Sequence, residues 1–275
     1  MIGPYGRILT ICLPVTMRQP KCGTDARYEG YWADCGYPSD DAPELVSGDN
    51  LITFQLKIML VKGLLVTLEG IDGSGKGTVA KYIAAKFKET MPERRLVLTA
   101  EPTTGQAGRI LRAELAKSCE EGGEPSVARR MQELFLFMAD HASHLAETVL
   151  PALESGAIVL SDRYADSTAA YQGVTLKGIV PDPVSWIQSI SHPWNVHPEM
   201  TLLLLLDPQV ALQRIEARTG REKFERLEFL RMVDGNFRRM AAIEPDRFVQ
   251  IDAEQDAEVV GKAAMNAILK LMSNR

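Results

Sequence analysis

The sequence predicts an α/β fold in which helices cover both faces of a central parallel sheet. From Met59 onward, apolar strand patterns alternate with helical patterns, and strands are expected at 64–69, 96–100, 157–161, 201–206 and 248–251. Such alternation requires crossover connections, which make neighbouring strands parallel. The first strand is almost continuously apolar, as expected for a strand that is buried on both faces. Ligands of such folds bind beyond the carboxyl ends of the strands.

The composition is that of a globular protein and argues against nucleic-acid-binding, disulfide-rich and membrane-spanning classes. The chain has 275 residues, 45% of them hydrophobic, which is enough for a substantial core in one or two domains. A net charge of −5 argues against a general polyanion-binding surface, so we expect small anionic ligands and no nucleic acid. The four cysteines are too few and too unevenly spaced for a disulfide framework, and they lack the CxxC spacing of a zinc site, so we expect a reducing cytoplasm. We expect no membrane segment, because Lys57 and Lys62 interrupt the apolar stretch 51–68.

Residues 1–58 differ from the rest of the chain. They are rich in Gly, Pro, Asp and Tyr and sustain neither helical nor strand periodicity. We therefore expect a poorly ordered extension ahead of a folded domain at 59–275. One hypothesis is that translation begins at Met59, and the alternative is a genuine extension of variable sequence.

The segment after the first strand has the spacing of a phosphate-binding loop. It satisfies GxxxxGK, and a helical pattern follows directly from Lys76. The glycines permit positive φ and close approach of N–H groups to a polyphosphate, while the helix adds the positive end of its dipole. Lys76 is expected to reach the β- and γ-phosphates, and Thr78 to offer a hydroxyl. The predicted ATP-binding residues are Gly70, Ile71, Asp72, Gly73, Ser74, Gly75, Lys76, Gly77 and Thr78.

Polar residues also follow the second and third strands. Glu101 is a candidate to orient a sugar hydroxyl or a magnesium-bound water, with a solvated loop carboxylate as the alternative. Gly77 stands where a hydroxyl often helps hold Mg²⁺, so a carboxylate from elsewhere is expected to contribute. Asp162 is the candidate, through water, and a structural ion pair is its alternative. Arg163 is expected to bind a phosphate of a second substrate, because guanidinium groups match phosphate oxygens in bidentate fashion.

A helix expected over 126–148 has two distinct faces. Phe137 and His141 share one face and could seat a nucleobase, although a partly buried Phe beside an exposed His is the alternative. The apolar stripe on the other face should pack on the core. It consists of Met131, Leu134, Phe135, Met138, Ala142 and Leu145.

The segment 214–226 concentrates cations around a glycine between two helical patterns. Mobile arginines that close over a transferring phosphoryl group would neutralise its charge, so we expect a lid that includes Arg218 and Arg221. A solvated helix face is the alternative.

Six motifs, taken in order, resemble the thymidylate kinase family from about Met59 to the end of the chain. They are GIDGSGKGT, AEPTTG, LFLFMADHASH, SDRYADSTAAYQG, LLLLLDPQVALQRI and TGREKFERLEF. The resemblance implies a three-layer P-loop kinase fold with a central parallel sheet and a small basic lid. It also implies a homodimer and an ATP-dependent phosphotransferase that uses Mg²⁺ and converts dTMP to dTDP in nucleotide biosynthesis.

The resemblance further implies roles for single residues. Phe137 would stack on thymine, Thr168 would contact the base and Tyr171 would close the space beside the ribose 2′ position. Asp72 and Glu101 would lie near the sugar and phosphate of the acceptor. The implied catalytic residues are Lys76, Arg163, Arg218 and Arg221.

Three positions depart from the pattern of the family. His141 stands in place of an arginine that hydrogen-bonds thymine, Ala100 in place of the arginine that often precedes Glu-Pro, and Gly77 is unusual beside the metal. Two alternatives therefore stay open: a kinase for another nucleoside monophosphate and a nucleotide-binding switch without catalysis. A switch needs no acceptor pocket, so the presence of both Arg163 and Tyr171 argues against it.

Overall fold

The computed structural model describes residues 63–121, 125–219 and 224–274. The predicted N-terminal extension, residues 1–58, lies outside the described residues. Arg221 of the predicted lid does too, and so does the side chain of Arg218.

Five parallel strands form a sheet in the described part of the chain. They are β1 (Leu64–Glu69), β2 (Leu96–Ala100), β3 (Ile158–Asp162), β4 (Met200–Leu205) and β5 (Phe248–Asp252). Their order in the sheet is β2-β3-β1-β4-β5, and every pairing is parallel. Each strand was predicted from the sequence to within one residue at either end. The α/β fold class is therefore confirmed.

Helices connect the strands and surround the sheet. They are α1 (Lys76–Thr90), α2 (Gln106–Glu121), α3 (Val127–His144), α4 (Leu150–Glu154), α5 (Ala165–Thr175), α6 (Pro183–Ser191), α7 (Pro208–Thr219), α8 (Phe224–Ile243) and α9 (Ala257–Ser273). A π-helical turn, Leu145–Val149, joins α3 to α4. Within the described ranges, no helix combines the length and apolar character needed to cross a bilayer.

The core lies on both faces of the sheet. Leu64, Val66 and Leu68 of β1 belong to one buried apolar cluster, whereas Leu65 belongs to a second. Successive strand residues point to opposite faces, so this division places packed side chains on each side of β1. The phosphate-binding loop is thus attached to the most thoroughly buried strand.

The inward face of α3 differs from the predicted apolar stripe. Leu134 and Leu145 are buried as expected, but Phe135 is 53% exposed and Ala142 is exposed. Buried polar groups are satisfied when they bind one another, so they can replace apolar residues on an inward face. Periodicity of apolar residues cannot reveal such a face. The polar side chains that α3 buries are Glu133, Asp140, His141 and His144.

Candidate active site

The loop between β1 and α1 curls in the manner expected for a phosphate cradle. Gly70, Gly73 and Gly75 have φ values of 137°, 85° and 92°. A Cβ atom on Gly73 would lie 2.6 Å from the carbonyl oxygen of Ala211, and one on Gly70 would lie 2.6 Å from that of Leu204. Only glycine permits both this curvature and this close approach to β4 and α7. The loop leads directly into α1, whose N-terminus carries the positive end of the helix dipole.

Lys76 is buried inside this loop, with 7% of the residue exposed. Its Nζ donates hydrogen bonds to the carbonyl oxygens of Gly70 and Ile71, both at 3.0 Å, and to Ser74 Oγ at 3.4 Å. Burial, followed by repulsion from Arg163, lowers the pKa of Lys76 to about 7. No carboxylate of the described residues is hydrogen-bonded to this amine, so an anionic phosphate is a suitable partner for it.

Arg163, just after β3, reaches the phosphate-binding loop. Its Nη2 donates to Asp72 Oδ1 at 2.6 Å and to the Tyr171 hydroxyl at 3.3 Å, and its Nη1 donates to Ser167 Oγ at 3.0 Å. Burial opposes the charge of Arg163, but Tyr171 and Asp72 outweigh it and raise the pKa of the guanidinium. The backbone adopts a φ of 72°, which a residue other than glycine maintains only when its surroundings fix it. Arg163 is therefore held rigidly at the edge of the loop.

The carboxylate that pairs with Arg163 lies at an open surface. The Asp72 side chain is 49% exposed, against 18% for Arg163. The Asp72 backbone N–H donates to the Tyr171 hydroxyl at 2.9 Å, so the phosphate-binding loop, Arg163 and Tyr171 form one hydrogen-bonded unit. Because Asp72 is accessible, an incoming phosphate can share the guanidinium with it.

Glu69, which was not predicted from the sequence, is connected to Arg163 through the hydroxyl of Ser167. It is completely buried at the end of β1, where Oε1 accepts hydrogen bonds from the backbone N–H groups of Tyr164 and Ser167. Its Oε2 accepts from Ser167 Oγ at 2.5 Å, and Ser167 Oγ in turn accepts from Arg163. Burial, assisted by Asp166, raises the pKa of Glu69 to about 8. A carboxylate at the end of an apolar strand was the signal that could have identified it.

A cavity of about 440 Å³ adjoins Arg163. It brings together six of the predicted substrate residues, namely Asp72, Glu101, Phe137, Arg163, Thr168 and Tyr171. Gln172 and Phe229, which were not predicted, also line it. The cavity combines aromatic walls and a guanidinium with several side chains that can form hydrogen bonds, a lining that suits a nucleoside monophosphate.

His141 is the predicted substrate residue that does not line this cavity. It is 3% exposed, and its Nδ1 and Nε2 lie 2.7 Å from Glu101 Oε1 and 2.9 Å from Asn195 Oδ1. Its ring packs edge-on against Tyr164, with 4.6 Å between centroids. The expected seat formed by Phe137 and His141 is therefore absent. The buried carboxylate of Glu101 needs a donor, and His141 serves it instead of facing the cavity.

Asp162 lies beside the N-terminus of α1. A Cβ atom on Gly77 would lie 3.6 Å from Asp162 Oδ2, and both residues line a cavity of about 630 Å³. The Asp162 carboxylate makes no hydrogen bond to the described residues, so its oxygens are available to a hydrated cation. The Asp162 side chain thus lies next to Gly77, the position at which this loop lacks the usual hydroxyl.

A smaller cavity of about 200 Å³ also adjoins the loop. Gly73, Gly75 and Thr78 line it together with Arg214, whose guanidinium donates to the Ala253 carbonyl oxygen at 3.3 Å. Arg218 is placed by its backbone near the end of α7, which ends at Thr219. The chemistry of the predicted lid therefore remains a prediction.

Comparison with known proteins agrees with this geometry. The family model for thymidylate kinase matches residues 68–264. The chain is 44% identical over 209 residues to the "Probable thymidylate kinase" of Methanosarcina acetivorans, covering 76% of this chain and 97% of the relative. It is 42% identical to that of Methanosarcina barkeri, with 78% and 99% covered, and 41% identical to that of Halobacterium salinarum, with 72% and 91% covered. This chain belongs to the thymidylate kinase family.

Proposed function

We propose that this protein transfers the γ-phosphoryl group of ATP to dTMP and releases ADP and dTDP. The observation that carries the proposal is the position of Arg163. Its guanidinium hydrogen-bonds Asp72 of the phosphate-binding loop and also lines the 440 Å³ cavity. A phosphate bound to Arg163 would therefore face a triphosphate held by the loop.

The chemistry requires alignment and charge stabilisation more than proton transfer. The attacking oxygen of dTMP is already anionic near neutral pH, so no general base is needed. Lys76 and the loop amides would bind the β- and γ-phosphates, and Arg163 would bind the 5′-phosphate. Arg218 and Arg221 would neutralise the transferring group from the lid. Mg²⁺ would neutralise further phosphate charge, with Asp162 as the residue that holds it through water.

Preference for a deoxynucleotide is assigned to Tyr171. Its hydroxyl is fixed by the Asp72 N–H and by Arg163, and its ring packs against Phe229 and Phe237 with centroids 6.1 and 6.4 Å apart. A ring packed against two aromatic neighbours and fixed at its hydroxyl would resist displacement by a 2′-hydroxyl. Phe137, on the wall of the same cavity, would stack on the base.

An assay that compares nucleoside monophosphates as phosphoryl acceptors tests the proposal. Purified protein with ATP and Mg²⁺ is offered dTMP, dUMP, AMP and CMP, and we expect dTMP to give the highest kcat/KM. Arg163→Ala should lower kcat/KM by about 10²- to 10³-fold, as loss of one charge-stabilising group does elsewhere. Arg238→Ala, which removes an exposed arginine paired with Asp234, is the matched control and should change little.

Other outcomes of this assay identify the alternatives. Preference for AMP or CMP would assign the protein to another nucleoside monophosphate. ATP binding without any phosphorylated product would indicate a nucleotide switch. Near-normal turnover by Arg163→Ala would contradict the role given to the guanidinium.

We also propose a homodimer in the cytoplasm. Large apolar side chains of α2 and α3 are exposed, among them Ile110 at 47% and Phe135 at 53%, and a second copy could cover them. Sedimentation velocity at micromolar concentration tests the dimer, and loss of the dimer in Phe135→Glu would place the interface.

A further inference from the structure

A buried cluster of one carboxylate and two histidines adjoins the cavity assigned to the acceptor. Glu101 Oε1 lies 2.7 Å from His141 Nδ1 and 2.6 Å from His144 Nδ1. The three side chains are 7%, 3% and 1% exposed, respectively. Nothing in the phosphoryl-transfer scheme above uses this cluster.

Hydrogen bonds, and not a metal ion, account for these distances. Ligands of a tetrahedral metal with bonds of about 2.0–2.2 Å stand roughly 3.3 Å apart. The observed separations of 2.6 and 2.7 Å are those of charge-assisted hydrogen bonds instead. The shared oxygen of Glu101 therefore accepts from both imidazoles.

His141 supplies the positive charge of the cluster. Its two nitrogens lie within hydrogen-bond distance of Glu101 Oε1 and Asn195 Oδ1, an arrangement that favours protons on both nitrogens. Burial opposes this protonation, but the Glu101 carboxylate outweighs it and raises the pKa of His141. The Nε2 atom of His144 lies 2.8 Å from the Thr99 hydroxyl, so both of its ring nitrogens have hydrogen-bond partners. Glu101 and His141 thus form a buried pair of anion and cation.

The second oxygen of Glu101 is left for a ligand. Oε2 accepts no hydrogen bond from the described residues and is not enclosed in protein, and Glu101 lines the acceptor cavity beside Phe137 and Thr168. Burial opposes ionisation of Glu101, but His141 and His144 lower the pKa of this carboxyl. An ionised carboxylate accepts hydrogen bonds and cannot donate them. Glu101 Oε2 therefore gives the cavity a hydrogen-bond acceptor that is held in position and cannot act as a donor.

A hydrogen-bond donor stands in the same cavity. Gln172 is 4% exposed, and its Oε1 accepts from the Thr175 hydroxyl at 2.6 Å. This bond orients the amide, and its Nε2 makes no hydrogen bond to the described residues. Among the polar side chains of this cavity, the Glu101 oxygen and the Gln172 amide nitrogen supply an acceptor and a donor, which together match a ring that offers an N–H group beside a carbonyl oxygen.

We propose that Glu101 Oε2 selects the acceptor base by accepting a hydrogen bond from the imide N3–H of thymine or uracil, with His141 and His144 as positioning residues. This inference rests on the proposed function and specifies its base recognition. Cytosine and adenine carry a lone pair at the corresponding ring nitrogen, which the carboxylate repels. A site built around one hydrogen bond rejects analogues that lack the donor.

Two nucleotide analogues test the proposal in the wild-type protein. N3-methyl-dTMP lacks the donor and should react with a kcat/KM at least about 100-fold below that of dTMP. The 3′-deoxy analogue of dTMP tests whether Glu101 contacts the sugar. In Glu101→Gln the penalty for N3-methylation should fall below about tenfold, whereas the penalty for removing the 3′-hydroxyl should stay as in wild type. Glu147→Gln, a change at an exposed glutamate of the π-helical turn, is the matched control and should leave both penalties unchanged.

The role of His141 has its own readout. In ¹⁵N spectra at pH 7, the His141 ring should show protons on both nitrogens, and this signal should be missing from His141→Gln. The same variant should raise KM for dTMP about tenfold while kcat changes less than about threefold, because a positioning residue acts on binding. A neutral His141 ring, or a loss confined to kcat, would overturn this role.

The failures can be told apart. Absence of dTMP turnover in the wild type would refute the proposed function. Equal turnover of dTMP and N3-methyl-dTMP would refute only the inference. The inference would also be refuted if Glu101→Gln, shown by thermal melting to be folded, reduced the penalty for removing the 3′-hydroxyl and not the penalty for N3-methylation. The wild-type comparison decides the matter even if that variant fails to fold.

Discussion

Binding of ATP should bring a proton onto Lys76. In the free protein its amine is buried among uncharged oxygens of the loop, and burial lowers its pKa to about 7. A bound triphosphate would place negative charge directly beside the amine, which favours the ammonium form. The pKa of Lys76 should therefore rise when ATP binds.

The size of the effect follows from these pKa values. At pH 8 roughly one-tenth of Lys76 is protonated in the free protein. If the phosphates restore the ordinary value of 10.5, ATP binding takes up about 0.9 proton at pH 8 and about 0.5 at pH 7. Because the complex holds more protons than the free protein, affinity for ATP should fall as pH rises above 7. The fall approaches tenfold per pH unit until the pKa of the complex is reached.

Calorimetry measures this uptake. ATP is titrated at pH 8 in two buffers of different ionisation enthalpy, and the difference in heat gives the number of protons exchanged. Lys76→Met should show no uptake, whereas Glu69→Gln, which removes the nearby buried carboxylate but keeps the amine, should retain it. An uptake below about 0.2 proton in the wild type, or equal uptake in Lys76→Met, would show that Lys76 does not gain the proton.

Three further predictions concern the loop, the core and the metal. Gly73→Ala should abolish ATP binding in a titration, because the new Cβ would lie 2.6 Å from the Ala211 carbonyl oxygen. Gly178→Ala is the control: Gly178 also has a positive φ, 80°, but open space around it, so this change should only lower Tm. Arg247→Met removes the guanidinium that lies 2.6 Å from the buried carboxylate of Asp166, so it should lower the free energy of unfolding in urea by about 3–5 kcal/mol. A decrease below about 1 kcal/mol would contradict a structural role for this ion pair. Asp162→Asn should raise the Mg²⁺ concentration needed for half-maximal turnover about tenfold, and an unchanged requirement would remove Asp162 from the metal site.

The amino-acid sequence was sufficient to predict the strands, the helical segments and the phosphate-binding loop. Strand bounds followed from apolar runs, and the curl around Lys76 followed from glycines whose positions are only a few residues apart. Both are local properties: side-chain spacing fixes the period of an element, and positive φ is a property of a single residue. The family resemblance also predicted that Phe137, Arg163 and Tyr171 bind one substrate, and all three line the 440 Å³ cavity.

The pairing of the buried polar groups, in contrast, depends on the three-dimensional fold. Glu69 binds Ser167, 98 residues along the chain, and His141 binds Asn195, 54 residues away. No periodicity encodes such partners, because a buried charge is stabilised by whichever group the fold brings within hydrogen-bond distance. For the same reason α3 turns histidines inward and leaves Phe135 exposed, so the side of a helix that faces the core cannot be read from its apolar residues alone.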